Sequence, residues 1–201
     1  MTNIRLSDVD FLVSTHSNTT GLERLLLSIL NKYPGAKITI ADSGAQLDRQ
    51  YYKKLRLELS EAGMLNRMVI HHIAYKAPLG QAFNELIKVS TGKYRLLLTD
   101  EDIFTEDTDV EKMVRVMQSN KSIGVVGGTL DDDTPVIDGR EMETEDGDTF
   151  GATKQINRFM MIFTDVKLSL RFDPKSEDFA MEFSNQAKAR LPLRWYLLEL
   201  N

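Results

Sequence analysis

The sequence predicts an α/β protein built on a doubly wound, mostly parallel sheet. Three observations carry this. Short β-rich runs alternate four times with segments whose apolar residues recur at helical spacing. One run, "KYRLLLTD" (93 to 100), is nearly apolar throughout, as a strand buried on both faces should be. The runs also end in polar residues on their carboxyl sides, the edge where such sheets bind ligands.

The elements follow in order. "VDFLVST" (9 to 15) is the first strand, and Leu22, Leu25, Leu26, Ile29 and Leu30 mark the helix after it, stopped by Pro34 and Gly35. "KITIAD" (37 to 42) is the second strand. Leu47, Tyr51, Leu55 and Leu59, four apart, give a second helix that Gly63 ends. "RMVIHHIA" (67 to 74) is the third strand, followed by a helix through Ala82, Phe83, Leu86 and Ile87 with Gly92 as its left-handed cap. After the fourth strand, Thr108 and Glu111 form a capping box opening a helix with Val110, Met113, Val114 and Met117. "IGVVGG" (123 to 128) closes the series. Beyond it the dipeptides Asp138-Gly139 and Asp146-Gly147 suit a hairpin or loop, "INRFMMIFTDVKLSL" a strand entering a helix or turn, "SEDFAMEFSNQAKAR" a helix, and "LPLRWYLLELN" a terminal packing segment.

A length of 201 residues fits a single domain, long enough to bury roughly 70% of its unfolded surface. Without cysteine, neither disulfides nor thiolate metal sites are open to it. Charges at Arg5, Asp8 and Asp10 interrupt any secretory signal, and no apolar stretch approaches the ~20 residues of a membrane span, so a soluble cytoplasmic chain is expected. The net charge of −5 is uneven: residues 131 to 149 hold nine acids against Arg140, a net −8, leaving +3 elsewhere. An acidic segment on a mildly basic body argues against a nucleic-acid groove, which needs clustered Lys and Arg.

Three strand ends carry candidate chemistry: Ser14, Thr15 and His16 after the first, Asp42 after the second, and Asp100, Glu101 and Asp102 after the fourth. Taken alone, the three acids are better explained by solvation, or by the next helix N-terminus, where negative charge is favoured. His71 and His72 in the third strand lack a spaced third ligand for zinc.

The order of motifs adds to this. "VSTHSNTTGLERLLLSIL", "IADSGA" and "LGQAFNELIKVSTGKYRLLLTDED" resemble, in sequence and spacing, the nucleotide-sugar glycosyltransferases of the A-type fold, particularly family 2. The likeness covers about residues 9 to 130, and "RFDPKSEDFAMEFSNQAKAR" is similar to the family's late acidic motif. It implies a Rossmann-like sheet whose residues 1 to 130 bind the nucleotide sugar and whose residues 131 to 201 supply the acceptor side and the base. Ser14 and His16 would face the nucleotide, with His16 standing where an aromatic residue is usual, and Asp42 would accept a hydrogen bond from the base of the donor. The acids would hold Mn²⁺ or Mg²⁺ beside the diphosphate. Two registers stay open: the DxD motif is Asp100-Glu101-Asp102 by literal match, or Thr99-Asp100-Glu101 by gapless alignment. Asp178, or else Glu177, would take the acceptor's proton in an inverting transfer, although Ser176 and the two acids also make a good helix cap.

The implied reaction moves a sugar from a nucleoside diphosphate sugar to a glycan, lipid-linked or protein acceptor, without nucleic acid or a transmembrane segment. Two departures bear on it. An arginine that meets phosphate in the family falls near Phe83 here, with Lys76, Lys93 or Arg95 as substitutes. The chain is also short for the family, so part of the acceptor lobe is expected to be missing, reduced to "RLPLRWYLLELN", or supplied by a further domain or a second copy. The alternative is a catalytically idle nucleotide-sugar-binding or scaffold module of the same fold. A nucleotidyltransferase is disfavoured because "STHSNTTG" is a poor phosphate loop.

Overall fold

A computed structural model describes residues 6–44, 49–61, 63, 68–119, 123–128, 137–144, 147, 149–153, 159–163, 172 and 194–198. Glu177 and Asp178 lie outside them, as does the helix expected around them.

Strand β1 (Val9–Thr15) leads to α1 (Thr19–Lys32), β2 (Lys37–Asp42), α2 (Arg49–Glu61), β3 (Met68–His72), α3 (Leu79–Val89), β4 (Tyr94–Thr99), α4 (Val110–Ser119) and β5 (Ile123–Gly128). The expected alternation is therefore present. Then come β6 (Ile137–Glu143), β7 (Thr149–Thr153), β8 (Met160–Phe163) and β9 (Arg194–Leu198). These nine strands form one sheet in the order β3-β2-β1-β4-β8-β5-β9-β7-β6. The first four are mutually parallel, with Val13 beside Ile40 on one side and Leu98 on the other.

Residue alternation along the strands assigns the two faces. Phe11 and Val13 of β1, with Leu96 and Leu98 of β4, pack with Leu25 and Ile29 of α1, Leu55 of α2 and Met113 and Val114 of α4. Leu12 and Leu97 turn the other way, onto Ala82, Phe83 and Leu86 of α3. Helices on both faces make the sheet doubly wound, and the chain reverses direction across it between β1 and β4. Sheets of this kind bind ligands at the carboxyl ends of the strands where such a reversal falls, here β1 and β4.

Three local expectations are corrected. α3 ends at Ser90 in an extended conformation rather than in a left-handed glycine. Gly92 is needed for closeness instead, since a Cβ there would sit 2.7 Å from the Asp10 carboxylate carbon. α4 is capped by Asp109, whose Oδ1 accepts the Lys112 N–H at 2.8 Å, while the Thr108 hydroxyl is used by the Thr105 N–H at 3.0 Å. Asp109→Ala should therefore lower the urea-derived stability by about 1 kcal/mol. Asp138-Gly139 lies within β6, where the register against β7 shifts, and the hairpin turns around Gly147, whose N–H donates to the Thr144 carbonyl.

The last two strands show what local pattern could not. β8 enters antiparallel between β4 and β5, burying Met160 and Met161 on opposite faces. β9, within the expected terminal packing segment, pairs parallel with β5 and antiparallel with β7. Among the described residues, no helix is long and apolar enough to cross a membrane.

Candidate active site

Four turns meet at the carboxyl edge. β1 runs out at Thr15 and passes through His16 and Ser17, the latter at φ 55°, to Asn18, whose side chain accepts the Gly21 N–H at 3.0 Å and starts α1. The turn after β4 lies directly on this helix start: a Cβ on Gly21 would come within 2.4 Å of the Asp100 carbonyl oxygen. A side chain at position 21 would thus push the two turns apart.

Asp100 is locked into this junction. Its N–H donates to the Ser14 carbonyl at 3.1 Å, and its carboxylate Oδ2 accepts from the Thr15 hydroxyl at 2.6 Å and the His16 N–H at 3.3 Å. Ser14 contributes through its backbone, its residue being buried. Thr15, through its hydroxyl, holds the Asp100 carboxylate in place. The exposed Glu101 follows, but Asp102 turns inward and is only 7% exposed. Its Oδ2 accepts from the Thr99 N–H at 2.6 Å and the Thr99 hydroxyl at 3.2 Å, and its own N–H donates to the Thr99 carbonyl at 3.1 Å. This closes a tight loop on the end of β4.

The β2 turn joins at Ser43. Its N–H donates to the Thr15 carbonyl at 3.0 Å, and its carbonyl and hydroxyl lie 3.0 and 3.1 Å from His16 Nδ1. Asp42 is 2% exposed, with Oδ1 accepting the Gly44 N–H at 2.7 Å and Oδ2 3.6 Å from His72 Nδ1. Its carboxylate therefore stiffens its own turn, and His72, given no chemistry from sequence, is its neighbour. The fourth turn, after β3, brings Tyr75 and Lys76 to the same edge. A large aromatic left exposed just past a strand end was the available signal for Tyr75.

The cationic substitutes for the missing arginine separate by position. Phe83 is buried and packs against Phe172, their ring centroids 6.1 Å apart. Arg95 sits four residues back from Thr99, about 13 Å away along the strand, and its Nε donates to the Ser90 hydroxyl. Lys93 precedes it and covers the Tyr94 and Phe163 rings. Only Lys76 of these three stands at the carboxyl edge. On the α3 side, Asn84 clamps Phe172 in both directions, Nδ2 to its carbonyl at 2.8 Å and Oδ1 from its N–H at 2.9 Å.

Among the described residues, no three His, Asp or Glu side chains form a metal cage. A hard cation such as Mg²⁺ or Mn²⁺ does not need one where one or two carboxylates act with substrate phosphates. The donor set fits that case, because among the described residues Asp100 Oδ2 takes both hydrogen bonds and Oδ1 takes none.

A family model described as glycosyl transferase family 2 matches residues 10–174. Among solved structures, S. aureus TarS 1-349 in complex with UDP-GlcNAc is similar at a TM-score of 0.68 and 13% identity, over 95% of this chain and 56% of that one. GalNAc-T7 with UDP, GalNAc and Mn²⁺ is similar at 0.65 and 11% identity, over 96% of this chain and 42% of that one. At such identities the likeness is one of fold. The chain spans little more than half the length of TarS 1-349. No curated protein matches it by sequence.

Proposed function

Because the chain belongs to glycosyl transferase family 2, we propose that it transfers a sugar from a nucleoside diphosphate sugar to an acceptor hydroxyl, with inversion and with the help of Mn²⁺ or Mg²⁺. The observation that carries this reading is Asp100, held by Thr15 and His16 where the β1 and β4 turns meet, with no bond to Oδ1 among the described residues. Asp100 and Glu101 would hold the cation, which supplies positive charge to the departing diphosphate. Asp102 is already engaged by Thr99, which favours the Thr99-Asp100-Glu101 register over the literal one.

His16, fixed through Nδ1 by Ser43, would face the nucleotide from the strand ends that also carry the buried Ser14 and Asp42. On the acceptor side, Asp178, or else Glu177, would accept the hydroxyl proton as the oxygen attacks the anomeric carbon and the bond to the diphosphate breaks. Asn84 supports this division of labour between residues 1 to 130 and 131 to 201, since it ties α3 to Phe172, six residues before Asp178. The acceptor is a glycan, a lipid-linked sugar or a protein.

Calorimetric titration with UDP, GDP and ADP, each with and without Mn²⁺, tests the reading. Binding of at least one diphosphate, tightened by Mn²⁺, is expected; no binding under any condition sinks it. Phe83 in place of a phosphate-binding arginine favours a second reading, an idle nucleotide-sugar-binding module. Slow release of free sugar from the donor that binds separates them, since an idle module releases none.

A further inference from the structure

We infer that Tyr75 and Lys76 form part of the donor site, Tyr75 as a stacking surface for the nucleobase and Lys76 as a cation for the diphosphate. The inference rests on the proposed function and adds two residues to it: Lys76 supplies the cation that Phe83 cannot, and Tyr75 the aromatic face whose usual place His16 takes.

The turn after β3 is built to hold them at the edge. The Lys76 N–H donates to the Ser43 carbonyl at 2.9 Å, and that same oxygen lies 3.0 Å from His16 Nδ1. One carbonyl thus joins the turns that follow β1, β2 and β3. Lys76 adopts φ 56°, a left-handed conformation that is sterically costly for a lysine and persists only where surrounding bonds impose it. The next dipeptide, Ala77-Pro78, leads straight into α3, and the Ala77 N–H closes a turn onto the Ala74 carbonyl at 3.0 Å.

What this backbone displays is a ring and a charge. Tyr75 is 62% exposed, and its ring stands 5.7 Å from that of His16 at a tilt of 46°. Lys76 Nζ lies 5.4 Å from the Tyr75 centroid. An aromatic face on the rim stacks a nucleobase regardless of its hydrogen-bonding edge. An ammonium on a four-carbon stem can leave the ring and follow a phosphate. Both groups share the carboxyl edge with Asp100, whereas Lys93 and Arg95 stand at the opposite end of β4.

Titrating wild type, Tyr75→Ala, Tyr75→Phe and Lys76→Met with UDP, GDP and ADP in Mn²⁺, and with the matching nucleosides, tests both roles. Tyr75→Ala should weaken nucleoside and diphosphate alike by about tenfold, and Tyr75→Phe should restore both. Lys76→Met should weaken the diphosphate by about fivefold, leave the nucleoside unchanged, and lose most of its effect in 0.5 M NaCl, where exposed charges are screened. If wild type binds and the variants bind as it does, the inference is overturned. Equal loss of nucleoside and diphosphate in Lys76→Met overturns the phosphate role. Failure of wild type to bind any diphosphate instead removes the proposed function beneath it.

Discussion

Asp100→Asn should reduce donor turnover by about a thousandfold while leaving the thermal midpoint within a few degrees of wild type. The two halves have different physical origins. Structurally, Asp100 acts through Oδ2 as an acceptor from the Thr15 hydroxyl and the His16 N–H, and an amide oxygen can accept both bonds. The junction of the β1 and β4 turns should therefore survive. Electrostatically, the amide brings no negative charge, and loss of a carboxylate that helps hold a divalent cation removes several kcal/mol from the stabilised departure of the diphosphate. Turnover within tenfold of wild type in saturating Mn²⁺ would remove Asp100 from the reaction. The neighbours resolve the register. Glu101→Gln should raise the Mn²⁺ concentration needed for half-maximal activity. Asp102→Ala should instead cost about 1 to 2 kcal/mol of stability, because the buried loop would lose the acceptor for the Thr99 N–H.

That contrast shows where sequence was informative and where it was not. Strand and helix identities from Val9 to Gly128 were legible because each element carries its own periodicity, and Asp42 and Asp100 stood out as polar residues ending apolar runs. The inward turn of Asp102 was not legible. A DxD spacing fixes the order of three side chains but not which one folds back on its own strand, a choice made by the Thr99 N–H and hydroxyl. Tyr75 is brought to the carboxyl edge by its neighbour Lys76, whose N–H donates to the Ser43 carbonyl, a contact between two turns that share no sequence pattern. The place of β8, expected as a strand, and β9 altogether escaped for a similar reason. Their place is set by pairing with β4, β5 and β7, partners far away in the chain. Asp10 looked from sequence like little more than a charge near the N-terminus. It is 0% exposed in the middle of the parallel sheet's amino edge.

Asp10→Ala should be the most destabilising of these changes, lowering the folding free energy by about 3 to 5 kcal/mol and the thermal midpoint by roughly 10 °C. The carboxylate gathers the chain where α3 meets β4. Its Oδ2 accepts from the Ser90 hydroxyl at 2.7 Å, the Gly92 N–H at 2.8 Å and the Thr91 N–H at 2.9 Å. The Lys37 ammonium of β2 lies 3.0 Å from Oδ1 and 3.2 Å from Oδ2. Alanine would leave the Gly92 and Thr91 donors without their acceptor. Burial by itself would push the Asp10 carboxyl up, but the Ser90, Lys37 and Gly92 bonds outweigh it and hold the carboxyl below its ordinary range. A group depressed in the folded state adds stability above its unfolded value, near 3.9, and that stability is lost as pH falls through the lower folded value. Denaturant midpoints for wild type and Asp10→Asn should therefore differ most at neutral pH and draw together below about pH 4. A gap that stayed constant down to pH 3 would mean that the charge of Asp10 contributes nothing, leaving packing and neutral hydrogen bonds as its whole role.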